Sequence, residues 1–341
     1  MELKGIHHVS AITANAANNY HFYTEVLGMR LVKKTINQDD PSVYHLFYAD
    51  EVGNPGSDLT FFEIPQAGRT YPGISSISGT SLRVPNDRAL QYWEKRLTEH
   101  NVDHDGMTKQ GSRHVIHFRD SENQRLTLIS DETNTGVKGG KVWEHSNTPA
   151  DKGIIGLGPV TLTVEDPAPT IKVLTEILTF REVGGYSSLD NDQDDIRVFA
   201  TGEGGTGAEV HLEVRNDLSK ERPGRGSVHH VAFRVDNEDE LAKWKNRIKK
   251  EGIPNSGLID RFYFKSLYFR EPNGILFELA TDGPGFATDE DVDNLGESLA
   301  LPPLFEDRRE EIEANLKPLD TIRPHHSVWS CCIQRCSNWF R

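Results

Sequence analysis

Cysteine is almost absent. The chain has three, Cys331, Cys332 and Cys336, and none in the long stretch before them. That distribution excludes a disulfide framework for the folded part. The histidines and cysteines of this tail fit no standard zinc spacing, and residues 323–341 read as an added or frayed extension. Long apolar runs are also missing: none approaches the roughly 18 residues that cross a bilayer. Met1-Glu2-Leu3-Lys4-Gly5 leads straight into a strand-like segment, without the charged and then apolar regions of a secretory signal. The expected location is therefore the cytoplasm, with no membrane partner. Positive charge is in deficit, at a formal net charge of −14 over 341 residues, which argues against nucleic acid as a partner. The length suits two domains of about 150 residues, each able to bury a core.

What the chain does contain is a repeat. Ile6 to Thr13 is strand-like. Asn18 to Gly28 follows with Tyr20, Tyr23, Val26 and Leu27 at helical spacing and Gly28 as the stop. A strand near Leu31 to Thr35 precedes Tyr44 to Ala49 and Leu59 to Ile64, both rich in β-formers. This β-α-β-β-β pattern returns from Val228 to Ala280, with Leu241, Trp244 and Ile248 on one helical stripe and Gly252 as its stop. A second unit starts near Gly79, has its helix at Ala89 to His100 and its last strand at Leu126 to Ile129. A third starts at Leu157, with a helix from about Pro169 to Leu178 and strands at Ile196 to Ala200 and Glu209 to Val214. The expected fold class is α+β: four βαβββ modules paired into two domains, whose curved mixed sheets enclose cavities. Modules one and two are assigned to a first domain (1–135) and modules three and four to a second (154–322), joined by a linker at 136–153.

The four repeats differ where chemistry can sit. Their first strands carry His7-His8 in module one and His229-His230 in module four, but Gly158-Pro159 in module three and Gly79-Thr80 or a near neighbour in module two. Aligned from the turn residues Asn273 and Asn123, Glu278 of module four falls over Leu128 of module two. A carboxylate on an apolar strand is costly to bury without a partner. Ligand-type residues are thus kept in modules one and four and lost in two and three, which predicts one metal site shared between the first and last modules. Two imidazoles and a carboxylate can occupy one face of an octahedral ion and leave the opposite face open, as in non-haem Fe(II) oxygenases. The plainer alternative is two hydrogen-bonded histidine pairs and a paired surface glutamate.

Ile6-His7-His8-Val9-Ser10, Tyr44 to Glu51 with Gly53 and Pro55-Gly56, Val228-His229-His230-Val231, and Tyr268 to Glu278 together resemble the vicinal oxygen chelate superfamily. Within it they are most similar to the extradiol dioxygenases that cleave hydroquinones. The resemblance covers residues 5 to about 320. It implies that His8, His230 and Glu278 bind Fe(II), with Mn, Zn or Ni as substitutes, and that His7, His229, Ser10, Arg261 and Tyr268 surround the substrate. It further implies a diphenol and O2 as reaction partners, and it leaves room for a homo-oligomer. Strand alternation alone sends His7 and His229 to the face opposite the ligands, so a local twist is needed to bring them near. Ser10 shares the face of His8. Arg261 either anchors a substrate oxygen or simply pairs with Asp260 or another acid.

Two rival functions keep the same residues. A glyoxalase-like lyase or isomerase needs a fourth ligand, for which Glu63 is the candidate. A non-catalytic binder of aromatic or thiol-reactive compounds needs no turnover. Gly202 to Gly207 matches G-x-G-x-x-G but is flanked by strands, so it reads as a hairpin loop. Asp190 to Asp195 reads as a solvated acidic turn. Glu306 to Leu319 reads as an amphipathic helix that, with Gly283-Pro284-Gly285-Phe286, serves as a lid or as simple packing.

Overall fold

The computed structural model of the chain describes residues 1–188 and 195–323. Apart from Asp195, the acidic turn expected at Asp190 to Asp195 lies outside the described residues. So does the cysteine-bearing tail beyond Arg323.

The four modules are present. The first comprises β1 (Ile6–Thr13), α1 (Ala16–His21), β2 (Arg30–Asn37), β3 (Asp40–Ala49) and β4 (Asp58–Glu63). The second comprises β5 (Ser76–Val84), α2 (Asp87–Glu99), β6 (His104–Gln110), β7 (Arg113–Arg119) and β8 (Arg125–Ser130). In the third are β9 (Gly156–Val164), α3 (Pro167–Lys172), β10 (Arg181–Tyr186), β11 (Ile196–Ala200) and β12 (Glu209–Val214). The fourth has β13 (Val228–Val235), α4 (Glu238–Lys250), β14 (Asn255–Asp260), β15 (Lys265–Arg270) and β16 (Leu276–Thr281). The Gly202 to Gly207 segment is indeed the turn between β11 and β12, closed by a 3-10 turn at Thr206–Ala208.

The helix of each module starts at an Asx cap. The side chains of Asn15, Asn86, Asp166 and Asn237 each accept a backbone N–H from the first helical turn. Asn15 and Asp166 are 151 positions apart, as are Asn86 and Asn237. The two sequence halves are therefore copies of one another. Modules one and three also share a π-helical turn after the short helix, at Phe22–Val26 and Val173–Ile177. Both turns are followed by a left-handed residue, Gly28 or Thr179. Modules two and four instead have full α-helices, whose Leu90, Trp93 and Leu97, and Leu241, Trp244 and Ile248, are wholly buried. Each aliphatic side chain so buried contributes about 1.5–3 kcal/mol.

The sheets cut across these halves. One eight-stranded sheet runs β14-β15-β16-β13-β1-β4-β3-β2 and joins modules four and one; the other runs β10-β11-β12-β9-β5-β8-β7-β6 and joins three and two. The pairing of one with two and three with four expected above is corrected accordingly. All four modules offer the same free edge on their first strand, so sequence does not say which edges meet. The links between modules cross and pair with each other, Tyr71 with Arg222 in both directions and Ile74 with Lys220.

The C-terminal segment packs on the outside. Residues Pro303–Arg308 are 3-10 and α5 spans only Arg309–Asn315. Ile312 and Leu316 are buried. The Tyr44 hydroxyl donates to the Lys317 carbonyl, and Lys34 Nζ to that of Leu319. This is packing against β2 and β3, not a lid. Phe286 instead inserts against Phe47 and Tyr263. No helix among the described residues is long and apolar enough to cross a membrane.

Candidate metal centre

β1 and β13 run antiparallel at the middle of their sheet, with Val9 opposite Val231. One residue before each valine is a histidine, His8 or His230, and both line the same cavity. Glu278 joins them from β16, which lies parallel to β13 with Glu278 beside Ala232. The three donor atoms form a nearly equilateral triangle. His8 Nε2 is 3.2 Å from His230 Nε2 and 3.1 Å from Glu278 Oε2, and His230 Nε2 is 2.9 Å from the same oxygen. Three ligands on one octahedral face, at about 2.1 Å from an ion, stand about 3.0 Å apart. All three residues are buried, and apart from the two imidazoles the Glu278 oxygens have no hydrogen-bond partner among the described residues. Burial alone would raise the Glu278 pKa, but the His8 and His230 rings outweigh it and hold the carboxyl well below the ordinary range. The donor set fits a divalent ion.

The histidines before the ligands reach the site through β-bulges. The β1–β13 register slips between Ile6 and His8, which makes His7 the extra residue, and again at His229. A bulge turns neighbouring side chains toward one side, which supplies the local twist that alternation alone did not. His7 Nδ1 lies 2.9 Å from His8 Nδ1, and His229 Nδ1 lies 2.7 Å from His230 Nδ1. If Nε2 of His8 faces a metal, its Nδ1–H donates to His7 Nδ1. His7 then donates its own Nε2–H to the Thr281 carbonyl, 3.1 Å away. Burial lowers the His7 pKa to about 3, so the ring stays neutral.

The site opens into a cavity of ≈ 390 Å³ lined by His8, His230, Ser10, His229, Arg261 and Tyr268, but not by His7. Tyr268 lies directly across the β15–β16 ladder from Glu278. Burial and the Glu278 carboxylate raise its pKa. Arg261 Nε donates to the Tyr268 hydroxyl at 3.3 Å. Its other nitrogens hold Asp39 at 3.0 and 3.3 Å, not Asp260. Asp39 belongs to the β2–β3 turn, so modules one and four meet over the cavity mouth.

Sequence reasoning missed part of the wall. His45 lies on the cavity side of β3, its ring 4.0 Å from that of Phe47 and 4.1 Å from that of Phe62. Its Nε2 meets Thr60 Oγ1 at 3.0 Å, and Thr60 meets Ser10 Oγ at 2.7 Å. The available signal was alternation, since Tyr44 and Leu46 on the opposite face are core residues.

Two alignments are corrected. Thr60 pairs with Ser10 as Glu278 pairs with Ala232, so the dyad through Val9 and Val231 maps Thr60, not Glu63, onto Glu278. Glu63 sits three residues on and accepts the Ala16 N–H at 3.0 Å. It is no ligand. In module two the counterpart of Glu278 is Thr127, not Leu128, because Arg119–Arg125 and Arg270–Leu276 are the matching rungs. The left-handed turn residue is Asn123 in one hairpin and Gly274 in the other, so the two turn asparagines are not equivalent.

The glyoxalase/bleomycin resistance protein/dioxygenase superfamily model matches residues 5–128 and 156–279. The chain is 53% identical over 319 residues to "Putative ring-cleaving dioxygenase MhqA" of Bacillus subtilis, covering 94% of this chain and 100% of that one. It is 28% identical over 321 residues to the chlorohydroquinone/hydroquinone 1,2-dioxygenase of Sphingobium indicum, covering 91% and 95%. A crystal structure titled "putative dioxygenase" from Bacillus subtilis superposes with a TM-score of 0.85 at 34% identity, covering 95% of this chain and 99% of that one.

Proposed function

Because the chain belongs to the glyoxalase/bleomycin resistance protein/dioxygenase superfamily, we propose that it is an Fe(II)-dependent dioxygenase that cleaves the ring of a hydroquinone. The observation that carries this reading is the His8, His230 and Glu278 triangle at one end of a cavity walled by His45, Phe47 and Phe62. Fe(II), when bound, supplies a Lewis-acidic and redox-active centre with open positions for substrate and O2.

The chain's own residues account for the rest. A flat aromatic ring fits between the Phe62 and His45 wall and Phe264, which packs on His8 at 5.1 Å between ring centres. His229 uses Nδ1 toward His230, so its Nε2–H is turned to the cavity it lines. From there it can give that proton to a substrate oxygen and afterwards recover one at the vacated Nε2. Arg261 has five N–H groups, of which three are engaged by Tyr268 and Asp39. The remaining two can meet the far oxygen of a para-diphenol. The four-ligand lyase reading loses its support with Glu63 outside the site.

The test is anaerobic loading with Fe(II), followed by oxygen-electrode traces against a panel of hydroquinones and catechols. One O2 consumed per ring opened, only in the loaded protein, is the expected result. Turnover of a hemithioacetal without O2 uptake would instead restore the lyase reading, and tight binding without turnover the binder reading.

A further inference from the structure

The sheet shared by modules two and three has its own cavity, of ≈ 690 Å³. The duplication maps His8, His230 and Glu278 onto Pro159, Gly79 and Thr127, so this cavity has lost the metal set. Its chemistry lies on the neighbouring rungs. On β7 and β8, Arg119 stands directly opposite Arg125, and His117 directly opposite Thr127. All four line the cavity.

Like charges facing each other on a sheet are destabilising unless something lies between them. Among the described residues, neither guanidinium has an acid within ion-pair distance or a hydrogen-bond partner. Asp103 and Asp105 also line the cavity, but the two acids that act on Arg125, Glu221 and Glu213, form no ion pair with it. Glu213 accepts from Thr163 Oγ1 at 2.7 Å and lies 3.8 Å from Arg215. Burial raises Glu221 to about 7 against the pull of Arg125, so it is only partly ionised at neutral pH. Burial also lowers the Arg125 pKa against the pull of Glu221 and Glu213, with Arg119 and Arg215 acting in the same sense as burial. Two rungs further, His117 Nδ1 meets Thr127 Oγ1 at 2.9 Å while its Nε2 is buried without a partner among the described residues. A buried polar atom left in this state costs about 1–3 kcal/mol.

We propose that this cavity is a second ligand site, for a small organic anion whose carboxylate lies between Arg119 and Arg125 and whose further polar group reaches His117. A guanidinium pair is the natural receptor for a carboxylate. The volume falls within the usual range for organic ligands, about 300–1,000 Å³, and far exceeds what an inorganic ion fills. The site is independent of the metal centre, since no residue is shared between the two cavities.

Titration calorimetry of the full chain with cis,cis-muconate, a six-carbon dicarboxylate, tests the assignment. Wild type and His8→Ala should bind one equivalent alike. Arg125→Gln should weaken binding at least about tenfold, and Arg119→Gln should do the same if the first variant fails to fold. Absence of saturable binding to wild type would overturn the proposal. So would binding that disappears in His8→Ala but survives Arg125→Gln, which would put the anion at the metal. Displacement of muconate by an equal concentration of inorganic phosphate would overturn the choice of an organic carboxylate.

Discussion

Thr60 and Glu278 occupy dyad-related positions beside the two central strands, Thr60 paired with Ser10 and Glu278 with Ala232. Two equivalent histidines therefore share one carboxylate and face one hydroxyl. That asymmetry places three candidate donors together and puts hydroxyls and a third imidazole, Ser10, Thr60 and His45, on the other side. Among the described residues no fourth His, Cys, Asp or Glu joins the triangle.

Replacing any one ligand should empty the site. His8→Ala, His230→Ala and Glu278→Ala each leave two donors, too few to retain a labile ion. Metal content after gel filtration should fall at least about tenfold, with an unchanged far-ultraviolet circular dichroism spectrum. Stoichiometric iron retained by His8→Ala would remove His8 from the set.

Glu63→Gln should retain the metal. Its carboxylate accepts the Ala16 N–H at the head of α1, so losing the charge costs about 0.3–1 kcal/mol of helix-dipole stabilisation. Expected are iron content and oxygen uptake within twofold of wild type, and a slightly lower Tm. Loss of metal in this variant would mean that the geometry rearranges to recruit it.

The two bulged histidines should behave differently. His7→Phe removes the acceptor for the Nδ1–H of His8, which should weaken metal affinity about 10–100-fold. Because His7 does not line the cavity, excess Fe(II) should restore kcat with KM unchanged. His229→Phe should weaken the metal in the same way and keep a low kcat after reloading, since His229 lines the cavity. Equal recovery of both variants would sink the proton-transfer role given to His229.

Much of this site is legible in the sequence, because imidazole and carboxylate side chains differ chemically from Pro159, Gly79 and Thr127, which modules three and two carry at the equivalent positions. His8, His230 and Glu278 are visible for that reason alone. The bulges at His7 and His229 are not, since an extra residue in one strand leaves no trace in an alternation pattern. The one-residue offset that sets Glu278 against Thr127 depends on which turn residue adopts the left-handed region, Asn123 or Gly274. Asp39 meets Arg261 across 222 positions, a contact that appears only once modules one and four are known to share a sheet.

Stability should fall as pH rises through 6 because of Asp120. Burial raises its pKa to about 6, against hydrogen bonds from Gln124, Glu122 and Tyr23 that act the other way. A folded pKa above the unfolded value of about 3.9 favours the folded state below pH 4, and that contribution disappears as pH passes 6. The shift corresponds to at most about 3 kcal/mol. Asp120→Asn keeps an oxygen for the Glu122 and Gln124 N–H groups and cannot ionise. Urea unfolding should show the two proteins alike near pH 4 and the variant more stable by 1–3 kcal/mol at pH 7.5. Equal stability at both pH values would show that Asp120 ionises without cost.

Arg261 is the proposed basis of the preference for hydroquinones. A para-diphenol has its second oxygen across the ring from the first, so the protein must hold it. A catechol has both oxygens at one end and gains nothing from a donor at the mouth. Arg261 is fixed there by Tyr268 and by Asp39, and the Asp39 pair is too exposed to count for much stability by itself. Arg261→Leu should therefore leave iron content and Tm nearly unchanged while lowering kcat/KM for hydroquinone at least about tenfold, equivalent to roughly 1.4 kcal/mol of transition-state stabilisation. Catechol turnover should change far less. Asp39→Asn should act in the same direction but more weakly, because it loosens the guanidinium without removing it. The variant series separates anchoring from packing: if Arg261 only closes the mouth, both substrates lose equally. A wild-type preference for catechol, with Arg261→Leu indistinguishable from wild type, would refute the anchor and leave the metal triangle intact.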